Sequence, residues 1–246
     1  MILPSLCTVH ERYLTLNRVA HDRFAGSLGG KLLLCCGFAE VGIADSLAGV
    51  LAGASVLCLD GELDRGVLRE GLRAGLCDFV VGHLDEALRI LKNELRQKRA
   101  VSVGLDALPE SFLPEMADRG LQPDLVSASP DAPGLELFLE RGAVPLPRLT
   151  ASQDWSSLPC RVSWNATEDR QRIMPLLTRI AAAALENDRA DTPARTRWLE
   201  ASPRVLGRAF GGGQCLRMTE IEADRVLASA AEGVPVAVVT CDCRGA

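Results

Sequence analysis

The sequence predicts an α/β protein with a doubly wound, mostly parallel sheet. From residue 31 to about residue 147, short apolar runs alternate with longer amphipathic stretches, as strands joined by crossover helices do. The chain has 246 residues, of which 48% are hydrophobic and 24% charged, so it has enough apolar side chains for a complete core. We therefore expect a globular protein in which residues 31–150 form the main domain.

Six strands and five crossover helices are predicted within this domain. Each strand is a short apolar run, and the strands are Lys31–Cys36, Ser55–Leu59, Asp78–Val81, Ala100–Val103, Leu125–Ser127 and Ala143–Pro145. Each helix repeats apolar residues with a helical period, and the helices are Ile43–Ala52, Asp64–Ala74, Leu84–Lys98, Glu110–Asp118 and Gly134–Glu140. Crossovers between parallel strands are right-handed, so these units should wind into one sheet.

The flanking segments predict a helical arm, residues 1–30, and a small C-terminal α/β subdomain, residues 151–246. The arm carries a helix at Glu11–Phe24 that ends at glycines. A connector with proline and serine leads into the subdomain. There the pattern predicts a strand, a helix, a loop, a second helix and a last strand, at Arg161–Trp164, Thr167–Glu186, Asp191–Pro193, Glu220–Ala231 and Val234–Thr240.

The composition argues against nucleic acids and membranes as partners. The net charge is -5, the pI is near 5.3 and lysine occurs only at positions 31, 92 and 98, so no basic face is expected. The apolar runs are far shorter than the roughly 20 residues that a membrane-spanning helix needs. The first residues lack the cationic start of an export signal, and we expect a cytoplasmic protein.

The nine cysteines do not form the pattern of a disulfide framework, which fits a reducing compartment. Cys241 and Cys243 either bind a soft metal or belong to a terminal strand; no second Cys/His pair at zinc spacing accompanies them, so we predict no metal site. Cys77, Cys160 and Cys215 are either nucleophiles or buried filler, since none has a nearby His or Lys in the sequence. The histidines are too scattered for a catalytic triad: His10, His21 and His83.

A glycine turn joins the first predicted strand to the first helix. Gly37 follows the strand, Gly42 stands at the start of the helix, and Asp60 follows the second strand. In a dinucleotide site, such glycines let a pyrophosphate approach the backbone at a helix N-terminus, and the acid hydrogen-bonds a ribose hydroxyl. Ala39 takes the place of the middle glycine of that fingerprint. The turn therefore predicts a Rossmann-like nucleotide site with an altered phosphate loop.

Glu40 is the unexpected residue of this turn. A carboxylate that faces a diphosphate costs on the order of 1–4 kcal/mol at close range. Three explanations stay open: Glu40 points to solvent, it caps the following helix, or the site has lost its ligand.

Several segments follow one another in an order typical of one enzyme family. Phe24-Ala-Gly-Ser-Leu-Gly-Gly-Lys31 is similar to H-F-G-G-S-L-x-G-K, residues 37–46 to G-L-G-G-M-G-G-A-Q-P, and Leu51-Ala-Gly-Ala54 to M-A-G-A. These are patterns of the urocanases (urocanate hydratases). The likeness continues in Arg73–Asp78, Leu84–Leu88, Ser102–Leu105, Leu113–Glu115, Arg119–Val126 and, more faintly, Leu158–Trp164. The chain resembles a shortened, divergent member that covers mainly the NAD-binding domain.

The resemblance implies a cofactor and a site. Urocanases add water to urocanate and hold NAD+ as an electrophile that bonds the substrate ring, and they assemble as homodimers. By this likeness we expect NAD or a related small molecule as ligand, and a homodimer with the helix Leu84–Lys98 as a candidate interface. The implied cofactor-binding residues are Gly37, Glu40, Val41, Gly42, Asp60, Arg65 and Gly104.

The catalytic part of the family pattern has no counterpart in this sequence. The Y-G-G-T-x-R segment and the F-C-R-G-x-G-P-F-R-W segment are missing, and Ala107–Pro109 and Ala128–Gly134 replace cofactor-lining segments. Phe210–Cys215 is either a remnant of the family's H-H-G-G-G segment or a loop. Two hypotheses follow: an NAD-binding protein with an altered lyase or hydratase reaction on a small acidic or heteroaromatic substrate, or an inactive relative that acts as a binding or assembly partner. No catalytic residue is assigned, and a companion polypeptide could supply the missing segments.

Overall fold

The computed structural model describes residues 4–37, 40–60, 66–128, 132, 134–147, 158–164, 167–183, 191–206, 213–231 and 236–240. The chain divides into two compact units. The first unit contains Val19–Pro147 together with the start of the chain, and the second contains Ser5–Arg18 and Arg148–Ala246. Residues 5–18 of the predicted arm thus group with the C-terminal part of the chain.

The first unit confirms the predicted fold class. Its elements are β1 (Leu32–Cys36), α2 (Glu40–Leu51), β2 (Ser55–Leu59), α3 (Gly66–Arg73), β3 (Phe79–Val81), α4 (Leu84–Gln97), β4 (Ser102–Leu105), α5 (Pro109–Asp118), β5 (Leu125–Ser127), α6 (Glu136–Glu140) and β6 (Val144–Pro145). The strands form one sheet in the order β3-β4-β2-β1-β5-β6, and every pairing in it is parallel. The helix α1 (Leu6–Arg23) precedes these elements.

Helices cover both faces of this sheet because successive strand residues point to opposite sides. Leu34 and Leu57 belong to the apolar core under α4, α5 and α6. Leu33 and Val56, one position earlier on the same strands, contact α2 so closely that a Cβ added at Gly49 would lie 2.9 Å from each. Both faces of the central strands β1 and β2 are therefore buried, which explains why these strands are continuous apolar runs.

Aspartates fix the amino ends of the central strands. Asp78, just before β3, accepts hydrogen bonds from the Ser102 N–H at 2.8 Å and the Ser102 hydroxyl at 2.9 Å. Asp124, just before β5, accepts from the Leu32 N–H at 2.9 Å and from Lys31 at 2.9 Å. The bonds to Ser102 also define the start of β4. This strand begins and ends two residues later than predicted, since it continues through Gly104 to Leu105.

The amphipathic helix α4 uses its apolar face inside the unit. Leu84, Ala87, Leu88 and Leu91 are buried in the core with strands of the sheet. This side of the helix is therefore not available as the interface proposed from the sequence, and homodimerisation stays a prediction.

The second unit contains a three-stranded antiparallel sheet in the order β8-β7-β9, which matches the predicted small α/β subdomain in class. Its elements after the first unit are β7 (Leu158–Trp164), α7 (Thr167–Ala182), α8 (Asp191–Leu206), β8 (Gln214–Met218), α9 (Glu220–Ala231) and β9 (Val236–Thr240). The N-terminal part of α1 packs in the same unit, since Cys7 Sγ lies 2.7 Å from Cys215 Sγ.

Several predictions for this unit were wrong. The strand β7 begins at Leu158 rather than Arg161, and the helix α7 ends at Ala182 rather than Glu186. The loop expected at Asp191–Pro193 is the first turn of α8, where a proline is tolerated because the first N–H groups of a helix need no partner within it. The helix predicted from Glu11 begins at Leu6, because Ser5 caps it: the Ser5 hydroxyl accepts from the Thr8 N–H at 2.9 Å. By contrast, α9 begins and ends as predicted, and Thr219 and Glu222 form its capping box.

Candidate functional site

The topology places the candidate site where β1 and β5 lie side by side. From β1 the chain first builds the side of the sheet that holds β2, β4 and β3, and then crosses to build β5 and β6 on the other side. In open α/β sheets, ligands bind outside the carboxyl ends of the strands at this point of reversal. The residues that follow β1, β2 and β5 are therefore the first candidates for ligand contacts.

The two glycines of the turn after β1 have the geometry that a phosphate loop requires. Gly37 has φ +102°, a conformation that side chains rarely adopt, and its N–H donates to the Leu59 carbonyl at 2.7 Å. A Cβ added at Gly42 would overlap the carbonyl oxygen of Gly37 and lie 3.0 Å from its carbonyl carbon. Glycine at position 42 thus lets the start of α2 pack directly on the turn, which is the role of the last glycine in dinucleotide loops.

Other predicted residues surround the N-terminus of α2. Glu40 is the first residue of this helix, and its side chain, like residues 38 and 39, lies outside the described parts. Val41, in the first turn, is 38% exposed. The structure therefore brings Gly37, Val41 and Gly42 together at one edge of the sheet.

Asp60 follows β2 at the same edge. It is half-buried, and its N–H donates to the Leu105 carbonyl at 3.2 Å, which aligns the end of β2 with the end of β4. This is the strand end at which an acid would reach a ribose of a nucleotide held at β1. Arg65, also predicted to bind the cofactor, lies outside the described residues.

Gly104 lies further from the turn, in β4, with β2 between it and β1. A Cβ at this position would lie 2.9 Å from Leu68 of α3 and 3.4 Å from the Cys77 sulfur. Close packing of α3 on β4 accounts for a glycine here, and its role in cofactor binding stays a prediction.

Two residues that the sequence analysis did not single out face each other between α2 and β5. Asp45 is fully buried, and its carboxylate accepts a hydrogen bond from the hydroxyl of Ser127, the last residue of β5. Asp45 stands among Ile43, Ala44 and Leu47, all of them buried. A charged residue within the buried face of a helix indicates a partner in the fold, and this signal was available in the sequence.

The cysteines considered as nucleophiles are buried. Burial raises the pKa of the Cys77 thiol to about 12 and that of Cys160 to about 11. Cys215 is fully buried in β8. Thiols with such pKa values carry little thiolate at neutral pH, which fits the interpretation as apolar filler. Cys241, Cys243 and residues 207–212 of the glycine-rich segment lie outside the described residues.

A charged cluster occupies the core of the second unit. Arg217 of β8 donates to the carboxylate of Glu11, and His10 Nδ1 lies 3.3 Å from the other oxygen of that carboxylate. Arg195 of α8 donates to the Ile180 carbonyl and lies 3.5 Å from Glu222 of α9. We call these residues the charged core: His10, Glu11, Arg195, Arg217 and Glu222.

Burial and charge act in opposite directions on this cluster. Burial lowers the pKa of His10, and Arg217 and Arg195 lower it further, against the opposing effect of Glu11. Burial alone would raise the pKa of Glu11, but the hydrogen bond with His10 and the charge of Arg217 outweigh burial and lower it. The other histidines, His21 and His83, are exposed. The structure thus gives His10 a place in the core and brings no histidine to the glycine turn within the described residues.

A comparison with protein families connects the glycine turn to a known domain. The model of the urocanase Rossmann-like domain matches residues 7–132, just over half of the chain, a range that includes the turn, Asp45, Asp60 and Ser127. The chain belongs to the urocanase family. The resemblance found in the sequence is thereby confirmed, and the Rossmann-like fold of the first unit agrees with the family's domain.

The described residues of this urocanase-family chain contain neither a membrane-spanning helix nor a metal-binding cluster. None of its described helices is long and apolar enough to cross a membrane. Across the same residues, no group of three or more His, Cys, Asp and Glu side chains is arranged to hold a metal ion.

Proposed function

We propose that this chain binds NAD+ at the carboxyl ends of β1, β2 and β5. The observation that carries the proposal is the fit between Gly42 and Gly37, where a single added methyl group would overlap the backbone of the turn. In a phosphate loop, such a close approach places the helix N-terminus within reach of the pyrophosphate. Membership of a family whose Rossmann-like domain holds NAD supports the same ligand.

Residues at different strand ends would contact different parts of the ligand. The backbone around Gly37, Val41 and Gly42 would hold the pyrophosphate at the start of α2, because unpaired N–H groups and the helix dipole favour an anion there. Asp60 would accept hydrogen bonds from a ribose at the end of β2. Arg65 and Gly104 are further candidates for cofactor contacts.

NAD+ would supply an electrophilic ring for a lyase or hydratase reaction on a small acidic or heteroaromatic substrate. One observation favours the second candidate function, an inactive relative that acts as a binding or assembly partner. The cysteines considered as nucleophiles are buried, and for Cys77 and Cys160 the thiol pKa lies at about 12 and about 11. The two candidates differ in whether the glycine turn still holds NAD+, so the test of NAD+ binding comes first.

The first experiment is to denature the purified protein, filter it, and analyse the released small molecules by mass spectrometry. We expect NAD+ in about equal amount to protein, or, if the protein is isolated without it, binding of added NAD+ in titration calorimetry. A protein that neither releases nor binds NAD+ would overturn the proposal. With NAD+ bound, a search for hydration of heteroaromatic acids separates the enzyme from the inactive partner.

A matched pair of variants tests the strand-end assignment. Asp60 follows β2 and Asp106 follows β4, so Asp60→Asn and Asp106→Asn make the same change at two neighbouring strand ends. Asp60→Asn should weaken NAD+ binding about tenfold, the equivalent of one good hydrogen bond to a charged group. Asp106→Asn should leave binding unchanged. Equal losses in both variants would contradict the role of Asp60.

Glu40 gives a test with the opposite sign. If the pyrophosphate lies at the start of α2, Glu40→Gln removes a negative charge from its neighbourhood, and NAD+ affinity should rise about three- to tenfold. The gain should shrink at high salt, because added ions screen charge. Unchanged affinity would mean that the carboxylate of Glu40 stays away from the phosphates.

A further inference from the structure

The hydrogen bond between Ser127 and Asp45 has a fixed direction. A carboxylate only accepts hydrogen bonds, so the Ser127 hydroxyl must donate its proton to Asp45. A hydroxyl has one proton and two lone pairs. With its proton used, Ser127 can offer a ligand only its lone pairs, and it can act toward a ligand only as an acceptor.

The place of Ser127 in the sheet relates it to the second half of a dinucleotide. It is the last residue of β5 and pairs in register with Cys35 of β1, on the side of β1 away from β2. It is half-buried, whereas Asp45 behind it is fully buried. Rossmann-like sites hold one nucleoside on each side of the central strand. If Asp60 serves the nucleoside on the β2 side, Ser127 stands at the strand end that serves the nicotinamide nucleoside.

We propose that Asp45 and Ser127 form a specificity device that accepts an N–H group of the ligand and rejects a carboxylate in its place. The carboxamide of NAD+ offers such an N–H group. Nicotinic acid adenine dinucleotide carries a carboxylate at the same position, which has no proton to donate and is repelled by Asp45. This inference rests on the proposed NAD+ site and names the residues that choose among its ligands.

Three probes separate the inference from the proposed function: NAD+, nicotinic acid adenine dinucleotide, and ADP-ribose, which lacks the nicotinamide ring. Their affinities are measured by titration calorimetry with the full chain. We expect wild-type protein to prefer NAD+ over the acid analogue by at least about tenfold, the effect of one hydrogen bond exchanged for a like-charge contact. ADP-ribose reports the pyrophosphate and adenosine contacts alone.

One set of variants removes or keeps the Ser127 hydroxyl, and another frees its proton for donation to a ligand. Ser127→Ala removes the acceptor, and its preference for NAD+ should fall to about threefold or less, while ADP-ribose binding stays as in wild type. Ser127→Thr keeps the hydroxyl and should keep the preference. Asp45→Asn can donate to Ser127, which frees the hydroxyl proton, so binding of the acid analogue should improve relative to NAD+. Ser111→Ala, on the exposed side of α5, is the control.

Each result has a distinct meaning. Loss of the preference in Ser127→Ala, together with improved binding of the acid analogue relative to NAD+ in Asp45→Asn, supports the inference, since a merely structural role would weaken all three ligands alike. ADP-ribose binding without a preference in wild type, or with a preference that survives Ser127→Ala, overturns the inference and leaves the NAD+ site in place. Binding of none of the three probes overturns both.

Discussion

The two units of the chain differ in the partners of their buried charged side chains. In the first unit, Asp78 and Asp124 stand at strand ends and bind backbone N–H groups, the buried Asp45 pairs with a neutral hydroxyl, and the core under α4, α5 and α6 is apolar. In the second unit, Glu11 and Arg217 pair within the core itself. The first unit therefore depends mainly on how closely its backbone elements approach, whereas the second depends on the charge state of a few buried groups.

This difference teaches where each unit is vulnerable. An apolar core loses stability in proportion to the volume that a substitution removes or adds. A buried ion pair adds little net stability when complete, but the loss of one partner leaves an uncompensated charge. The charged core should thus be the more sensitive of the two to a single substitution and to pH.

The largest expected effect is the removal of one partner in the charged core. Arg217→Met leaves the Glu11 carboxylate buried with His10, and should lower the free energy of unfolding of the second unit by about 3–5 kcal/mol. Urea unfolding followed by tryptophan fluorescence measures this unit, since Trp164 and Trp198 lie in it and residues 19–147 contain no tryptophan. The exposed pair Arg99–Glu94 provides the control, and Arg99→Met should change little.

A double substitution decides whether the buried charge causes the loss. Adding Glu11→Gln to Arg217→Met removes the stranded carboxylate, so the double variant should be more stable than the sum of the single losses predicts. Strict additivity would mean that the two side chains act independently, against the contact described.

In the first unit, the corresponding weak point is the backbone at the glycine turn. Gly42→Ala forces α2 away from Gly37 and should cost about 2–3 kcal/mol, within the usual range for overpacking, along with most of the NAD+ affinity. Hydrogen exchange at α2 and β1 measures the effect locally. Gly82→Ala, where a Cβ meets nothing within 4 Å, should be tolerated; equal losses in both variants would contradict the close-approach argument.

The smallest effect expected is a pH dependence confined to the second unit. His10 has its pKa lowered in the folded protein, so the unfolded chain binds a proton more readily below pH 6.5. The second unit should accordingly lose stability as the pH falls below 6.5, above the range in which Glu11 titrates, because the pKa of Glu11 is lowered. Tryptophan-detected unfolding of His10→Gln should lack this loss, whereas His21→Gln, an exposed histidine, should retain it. A dependence that survives in His10→Gln would assign it to another group.

Most of the first unit could be predicted from the sequence because its signals are local. Ser55–Leu59 and Leu125–Ser127 are strands with the predicted bounds, since a strand buried on both faces is a continuous apolar run. Gly37 and Gly42 indicated the turn because their geometry excludes side chains. The pairing of Asp45 with Ser127 joins residues 82 positions apart and left only the indirect signal of a charge on an apolar helix face.

The second unit could be predicted only in part because its pairings are distant. The strand Gln214–Met218 was not predicted: Arg217 interrupts its apolar pattern, and the partner that makes its burial acceptable is Glu11, 206 positions earlier. The helix at Asp191 was mistaken for a loop because Asp-Thr-Pro serves equally as a turn and as a first helical turn. Local patterns do not separate such alternatives when long-range contacts decide between them.

Because Ser5–Arg18 belong to the second unit, they cannot complete their contacts until the C-terminal part of the chain has been synthesised. Ribosomes add roughly 5–20 residues per second, so Glu11 waits roughly 10–40 s before Arg217, 206 positions later, has been made. During this interval the first unit has its full set of strands and can fold. The buried acid and histidine of α1 remain in water meanwhile, and a nascent chain released early would expose the part of α1 that the finished protein encloses.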